Sequence, residues 1–80
     1  MLVPVVDMKL TGQNIASLRG KRGISVREMQ HMLGFTTPQS IYKWQRGETL
    51  PAIENLAALA HILDVAMDDI LAVEYRRMGS

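Results

Sequence analysis

Apolar residues recur along the chain in short stretches at helical spacing, and the stretches are broken at Gly23, Gly34 and Gly47. Ile15 and Leu18 form the first stripe, with Thr11 as N-cap and Gly23 as stop, which predicts a helix over about Gly12–Arg22. The second helix has the clearest start. Ser25 and Glu28 have the spacing of a capping box, and Ile24 and Met29 that of a hydrophobic staple. Met29, Met32 and Leu33 continue its apolar face to Gly34. Thr37 followed by Pro38 reads as a cap and a first helical residue, opening a third helix from Pro38 to Arg46. Ile53, Leu56, Ala57, Leu59, Ala60 and Leu63 predict a fourth, amphipathic helix. A short fifth follows over about Met67–Leu71, with Asp68 and Asp69 at its positive end.

The ends of the chain differ. VPVVDMKL alternates loosely around Pro4 and reads as an extended arm or edge strand. AVEYRRMGS fits a strand, a frayed tail or a dimer contact, and periodicity does not choose among them. The pattern therefore predicts an all-α, compact five-helix domain: an extended arm over 1–10, the helical domain over 11–71 and a C-terminal tail over 72–80. No repeat, low-complexity tract or linker divides it.

At 80 residues and 48% hydrophobic the chain suits one soluble domain with an efficient core. It has no cysteine, which excludes disulfides and thiolate metal sites and suits a reducing cytoplasm. The apolar run Met1–Val6 is far shorter than the roughly 20 residues of a membrane span and lacks the basic start of a signal peptide. Net charge is only +1, but its distribution is uneven. Between Arg19 and Arg46 six basic residues face one acid, Glu28; between Gly47 and Tyr75 six acids stand with no Lys or Arg. Such asymmetry can create a basic face on a nearly neutral protein.

Candidate chemistry narrows to the second and third helices. Two short helices joined around Gly34 have the arrangement of a helix-turn-helix. On the third, Ile41 and Trp44 turn to the core, and at about 100° per residue Gln39, Tyr42, Lys43 and Arg46 then face outward. Amides pair with adenine edges, cations with guanine or phosphate, and a phenol with phosphate or a thymine methyl. Gln39 and Lys43 are therefore the first candidates for base contact, and Ser40 and Tyr42 the second. Arg46, Thr37 and Arg19 are candidates for the DNA backbone, Thr37 because cap hydroxyls and free N–H groups attract anions.

The stretch from Asn14 to Leu71 resembles the Cro/repressor (XRE, lambda-repressor-like) family of helix-turn-helix domains. The resemblance is carried by LRGKRGISVREM, LGFTTPQSIYKWQRG, LPAIENLAALAHILDV and MDDIL, in the family's order. It implies a lambda-repressor-like fold of five helices and operator binding that regulates transcription. It also implies base contacts from Gln39 and Lys43, with backbone contacts near Thr37 and the start of the second helix. Trp44, Gly47 and Pro51 match structural positions. The sequence departs from the pattern at Val26, where Gln is common, and at Gln30, where a small Ala usually lets the helices approach. Phe35 lengthens the turn, Ala52 and Ala66 stand for better caps, and Asp64 for a helix-ending Gly.

Catalysis finds no support: His31 and His61 stand apart with no matching ligands or paired carboxylates, and no phosphate loop follows a strand. No metal, cofactor, membrane contact or small-molecule domain is expected. The partner implied is double-stranded DNA, bound by a homodimer whose half-sites lie about one helical turn apart. The rival reading is a protein-interaction module of the antitoxin kind, holding its partner through the arm Leu2–Val6 and the fourth helix.

Overall fold

Asp7, and not Thr11, starts the first helix. In the computed structural model, which describes residues 1–79, the Asp7 carboxylate accepts the Leu10 N–H at 2.8 Å, and α1 runs Met8–Lys21. Thr11 is 1% exposed, and its hydroxyl accepts the backbone N–H of Ala72 at 3.0 Å. A residue that resembles a cap is thus used to hold the far end of the chain. Ser80, the last residue of the expected tail, lies outside the described residues.

Four further helices follow: α2 Val26–Leu33, α3 Gln39–Gln45, α4 Ile53–Leu63 and α5 Met67–Ile70. The all-α expectation is corrected by two strands, β1 Leu2–Val6 and β2 Val73–Arg77, which pair antiparallel with Pro4 opposite Tyr75. The arm and the tail are therefore one two-stranded ribbon. Its base is fastened by the Asp7 N–H bonding to the Ala72 carbonyl at 2.8 Å and by the Thr11 hydroxyl.

Ile15, Met29, Ile41, Trp44, Leu56, Leu59, Leu63 and Ile70 form the core, so each of the five helices contributes to it. Three apolar positions of the expected stripes lie outside it. Met32 is 55% exposed and Ile53 72% exposed, and Ala57 is also exposed. Helical spacing gives the phase of a face but not its width, and α4 fully buries only Leu56, Leu59, Ala60 and Leu63.

Capping fixes where the helices end. Ser25 and Glu28 close the capping box of α2 in both directions, with bonds of 3.0 and 3.2 Å. The Asp69 carboxylate accepts the Ala66 N–H at 2.9 Å, which offsets the missing side-chain cap there. At the C-terminus of α4, Asp64 takes the left-handed conformation (φ 56°), and the Val65 N–H bonds back to Ala60 O at 3.0 Å. An L side chain in that conformation is strained by roughly 1–2 kcal/mol, of which part is lost again to the freer unfolded chain when glycine replaces it. Asp64→Gly is expected to stabilise the domain by about 0.5 kcal/mol, read as a rise of a few degrees in thermal midpoint.

Candidate nucleic-acid interface

The turn between α2 and α3 is built by Gly34, Gln30 and Phe35. Gly34 adopts φ 73°, the Gly34 N–H bonds to His31 O at 3.1 Å and the Phe35 N–H to Gln30 O at 3.0 Å. These two bonds form a Schellman closure of α2. The Gln30 side chain then donates to the Phe35 carbonyl at 3.3 Å, and the Phe35 ring meets Trp44 edge-on with centroids 5.8 Å apart. Phe35 and Gln30 work together: the Phe35 ring packs on α3, and the Gln30 amide ties off the Phe35 carbonyl.

The third helix begins one residue later than expected. Pro38 occupies the cap position and its carbonyl accepts the Tyr42 N–H at 3.1 Å, so Thr37 lies outside the helix and does not cap it. The phase of the helix is as the sequence implies. Ile41 and Trp44 are buried, at 0% and 4% exposure, while Gln39, Ser40, Tyr42, Lys43 and Arg46 are exposed, and so is Thr37.

Two contacts lock this helix in place. Gly12 of α1 lies so close to α3 that a Cβ there would overlap the Trp44 and Gln45 carbonyls. Arg19, at the end of α1, donates through Nε to the Gln45 side-chain oxygen at 3.0 Å and through Nη1 to the Ile24 carbonyl at 2.9 Å. Half-buried Arg19 therefore ties α3 to the backbone just before α2, using two of its five N–H donors.

Charge at the surface is less cleanly divided than the sequence blocks imply. Glu48, the first of the acidic block, forks onto Arg46 with bonds of 3.2 and 3.1 Å. The hydrogen bond to Arg46 holds the Glu48 carboxyl below its ordinary range, and the same bond raises Arg46. The side chains of the pair are 57% and 51% exposed and the pair is screened by solvent, so it tethers Arg46 rather than neutralising it for good. Beside α3, Val26, Arg27, Gln30, His31, Pro38 and Tyr42 line a depression of about 390 Å³. Arg27 and His31 flank the exposed face of α3 from α2 and are absent from the candidates drawn from the sequence. Their spacing of four residues on one helix is the pattern that could have found them. Among the described residues no His, Asp and Glu cluster could hold a metal ion, and no helix is long and apolar enough to cross a membrane.

A buried face on α3, an exposed polar face beside it and a glycine-closed turn from α2 define a helix-turn-helix domain. The helix-turn-helix family matches residues 15–70, and the chain belongs to this Cro/repressor-type (XRE) family of DNA-binding transcriptional regulators. Solved structures share the fold. The restriction-modification controller protein C.AhdI from Aeromonas hydrophila superposes with a TM-score of 0.72 at 23% identity, over 80% of this chain and 96% of that one. The clp gene regulator ClgR from Corynebacterium glutamicum gives 0.72 at 24% identity, over 79% of this chain and 66% of its own. The DNA-binding domain of BldD gives 0.70 at 19% identity, over 82% and 94% of the two chains; another structure of the BldD domain, from S. venezulae, gives the same score and identity. Comparison with curated proteins gave no match.

Proposed function

We propose that the protein is a sequence-specific, repressor-like regulator that lays α3 in the major groove of operator DNA as a homodimer acting in the cytoplasm. The observation that carries this reading is the division of α3: Ile41 and Trp44 are buried, so the exposed face presents Gln39, Ser40, Tyr42 and Lys43 in one patch. Gln39, nearest the N-terminal end that enters a groove, and Lys43, one turn on, read bases; Ser40 and Tyr42 adjust the fit. Thr37, Arg46 and the unused donors of Arg19 hold phosphates, and Arg27 adds charge on the α2 side.

In vitro selection from random DNA at two salt concentrations tests the reading. A defined motif, bound with a steep loss of affinity at the higher salt, is the expected result. Recovery of no motif, or salt-insensitive binding, refutes it.

Glu48 supplies a second test. Arg46 must leave, or share, this carboxylate to hold a phosphate. Glu48→Gln is therefore expected to strengthen DNA binding by about two- to threefold at low salt, with a smaller gain at high salt where the ion pair is already screened. Titrations of labelled operator with both proteins measure it; weaker binding by the variant would show that Glu48 positions Arg46 instead of restraining it.

A further inference from the structure

The ribbon of β1 and β2 stands on the helical body with little contact to it, and the molecule measures 46 × 22 × 20 Å. An isolated two-stranded ribbon is marginal in water, and a third strand or a packed face is what usually secures it. Here β2 is exposed throughout, with Tyr75 66% and Val73 46% accessible.

The two outer edges of the ribbon are not equivalent. The Met78 N–H bonds to Met1 O and the Asp7 N–H to Ala72 O, both at 2.8 Å. In the antiparallel register these bonds place the N–H and C=O groups of even-numbered β2 residues toward β1, and those of Val73, Tyr75 and Arg77 outward. On β1 the outward residues are Leu2, Pro4 and Val6, and Pro4 removes the central donor. One edge is thus interrupted by proline, a common device against strand addition, and the other is complete.

We propose that a second copy of this chain adds to the free edge of β2, giving a four-stranded antiparallel sheet centred on Tyr75. The inference rests on the homodimer reading above and names its interface. Only two-residue slips keep the outward groups facing one another, and charge chooses among them. With Tyr75 opposite Tyr75 of the second copy, Glu74 of each copy lies directly across from Arg76 of the other, a favourable cross-strand arrangement beside an aromatic pair. A slip one way sets Glu74 against Glu74, and a slip the other way sets Arg76 against Arg76; both are repulsive. Within one chain Arg76 Nε already donates to the Glu74 carboxylate at 2.7 Å, so dimerisation extends this pair into a ladder of four charges.

Sedimentation equilibrium of the full chain over a range of concentrations, with circular dichroism to confirm folding, tests the proposal. Wild type is expected to dimerise. Tyr75→Pro removes the outward N–H without touching a bond to β1, just as Pro4 does opposite it, and is expected to be a folded monomer. Glu74→Arg and Arg76→Glu are each expected to raise the dimer dissociation constant about tenfold, because both cross-strand pairs become repulsive. An equimolar mixture of the two single variants sets Arg against Glu at both places and is expected to recover the dimer as a heterodimer. A wild-type dimer unaffected by all three substitutions places the interface elsewhere and leaves the homodimer reading standing. Weakened variants that fail to recover on mixing overturn the register. A wild type that stays monomeric both free and on DNA overturns the interface and the homodimer reading together.

Discussion

Gly12→Ala is expected to destabilise the domain by about 2 kcal/mol or more, enough to lower the thermal midpoint by roughly 10 °C in a chain of this size. The sign runs against helix propensity, which favours alanine over glycine inside a helix by about 1 kcal/mol. It is set by packing. The added methyl would overlap the carbonyls of Trp44 and Gln45, and both belong to backbone rather than to side chains that could rotate away. Nor can α3 retreat easily, since Ile41 and Trp44 are buried on its near face and Arg19 holds Gln45. Gly47, just past the helix, adds a second close approach, where a Cβ would stand 2.7 Å from the Lys9 Cα. Gly20 in the same α1 helix has nothing within 4 Å of its position, so Gly20→Ala is expected to stabilise the domain by about 0.5–1 kcal/mol. Thermal melts of the two variants side by side decide the matter. Equal stabilisation by both would mean that α1 and α3 do not touch as described.

That contact also marks what the sequence conveys and what it leaves out. Local rules were enough for the capping box of Ser25 and Glu28, for the stop at Gly34 and for the phase of α3, because each depends on residues within a turn or two. Thr11 and Asp7 are both good caps by residue type; the choice is made by Ala72, sixty-one residues away, whose N–H donates to the Thr11 hydroxyl. The ribbon was hidden for a similar reason. Its strands lie at opposite ends of the chain with no turn between them, so no local feature announces that they pair, and the expected all-α domain gained a sheet. Met32, Ile53 and Ala57 fit the apolar period yet stay exposed, since period does not tell how many neighbours a helix has.

The candidate site shows the same division. The exposed stripe of α3 follows from two anchors on one helix, Ile41 and Trp44, and is legible without tertiary structure. The engagement of Arg19 with Gln45 and Ile24 is not, and it gives that residue a positioning role beside its proposed contact with phosphate. Gln30 and Phe35 appear in the sequence as two separate departures from a family pattern. In the fold they are a single device, a bonded carbonyl and an edge-on ring pair, that sets how α3 follows α2. The angle at which the reading face meets a groove therefore depends on residues that touch no base.

The double variant Gln39→Ala, Lys43→Ala is expected to abolish sequence preference while leaving the fold intact. Both side chains are exposed and lie outside the core, so their truncation removes no buried contact. A side chain paired well with a base edge contributes about 1–3 kcal/mol of discrimination, so losing two should bring operator binding down by about a hundredfold or more, toward the non-specific level. Non-specific binding should survive, because Arg27 and Arg46 remain to meet phosphates and the salt dependence they produce stays steep. The single Lys43→Ala variant separates two roles for that residue. Loss of preference at one base pair assigns Lys43 to base reading, whereas an equal loss on every sequence with a salt slope smaller by about one assigns it to phosphate. Competition titrations against the selected operator and its single-base variants, at two salt concentrations, measure both quantities. Unchanged operator affinity in the folded double variant would remove α3 from the reading surface and leave Arg27, His31 and the depression beside Tyr42 as the place to look for DNA contact.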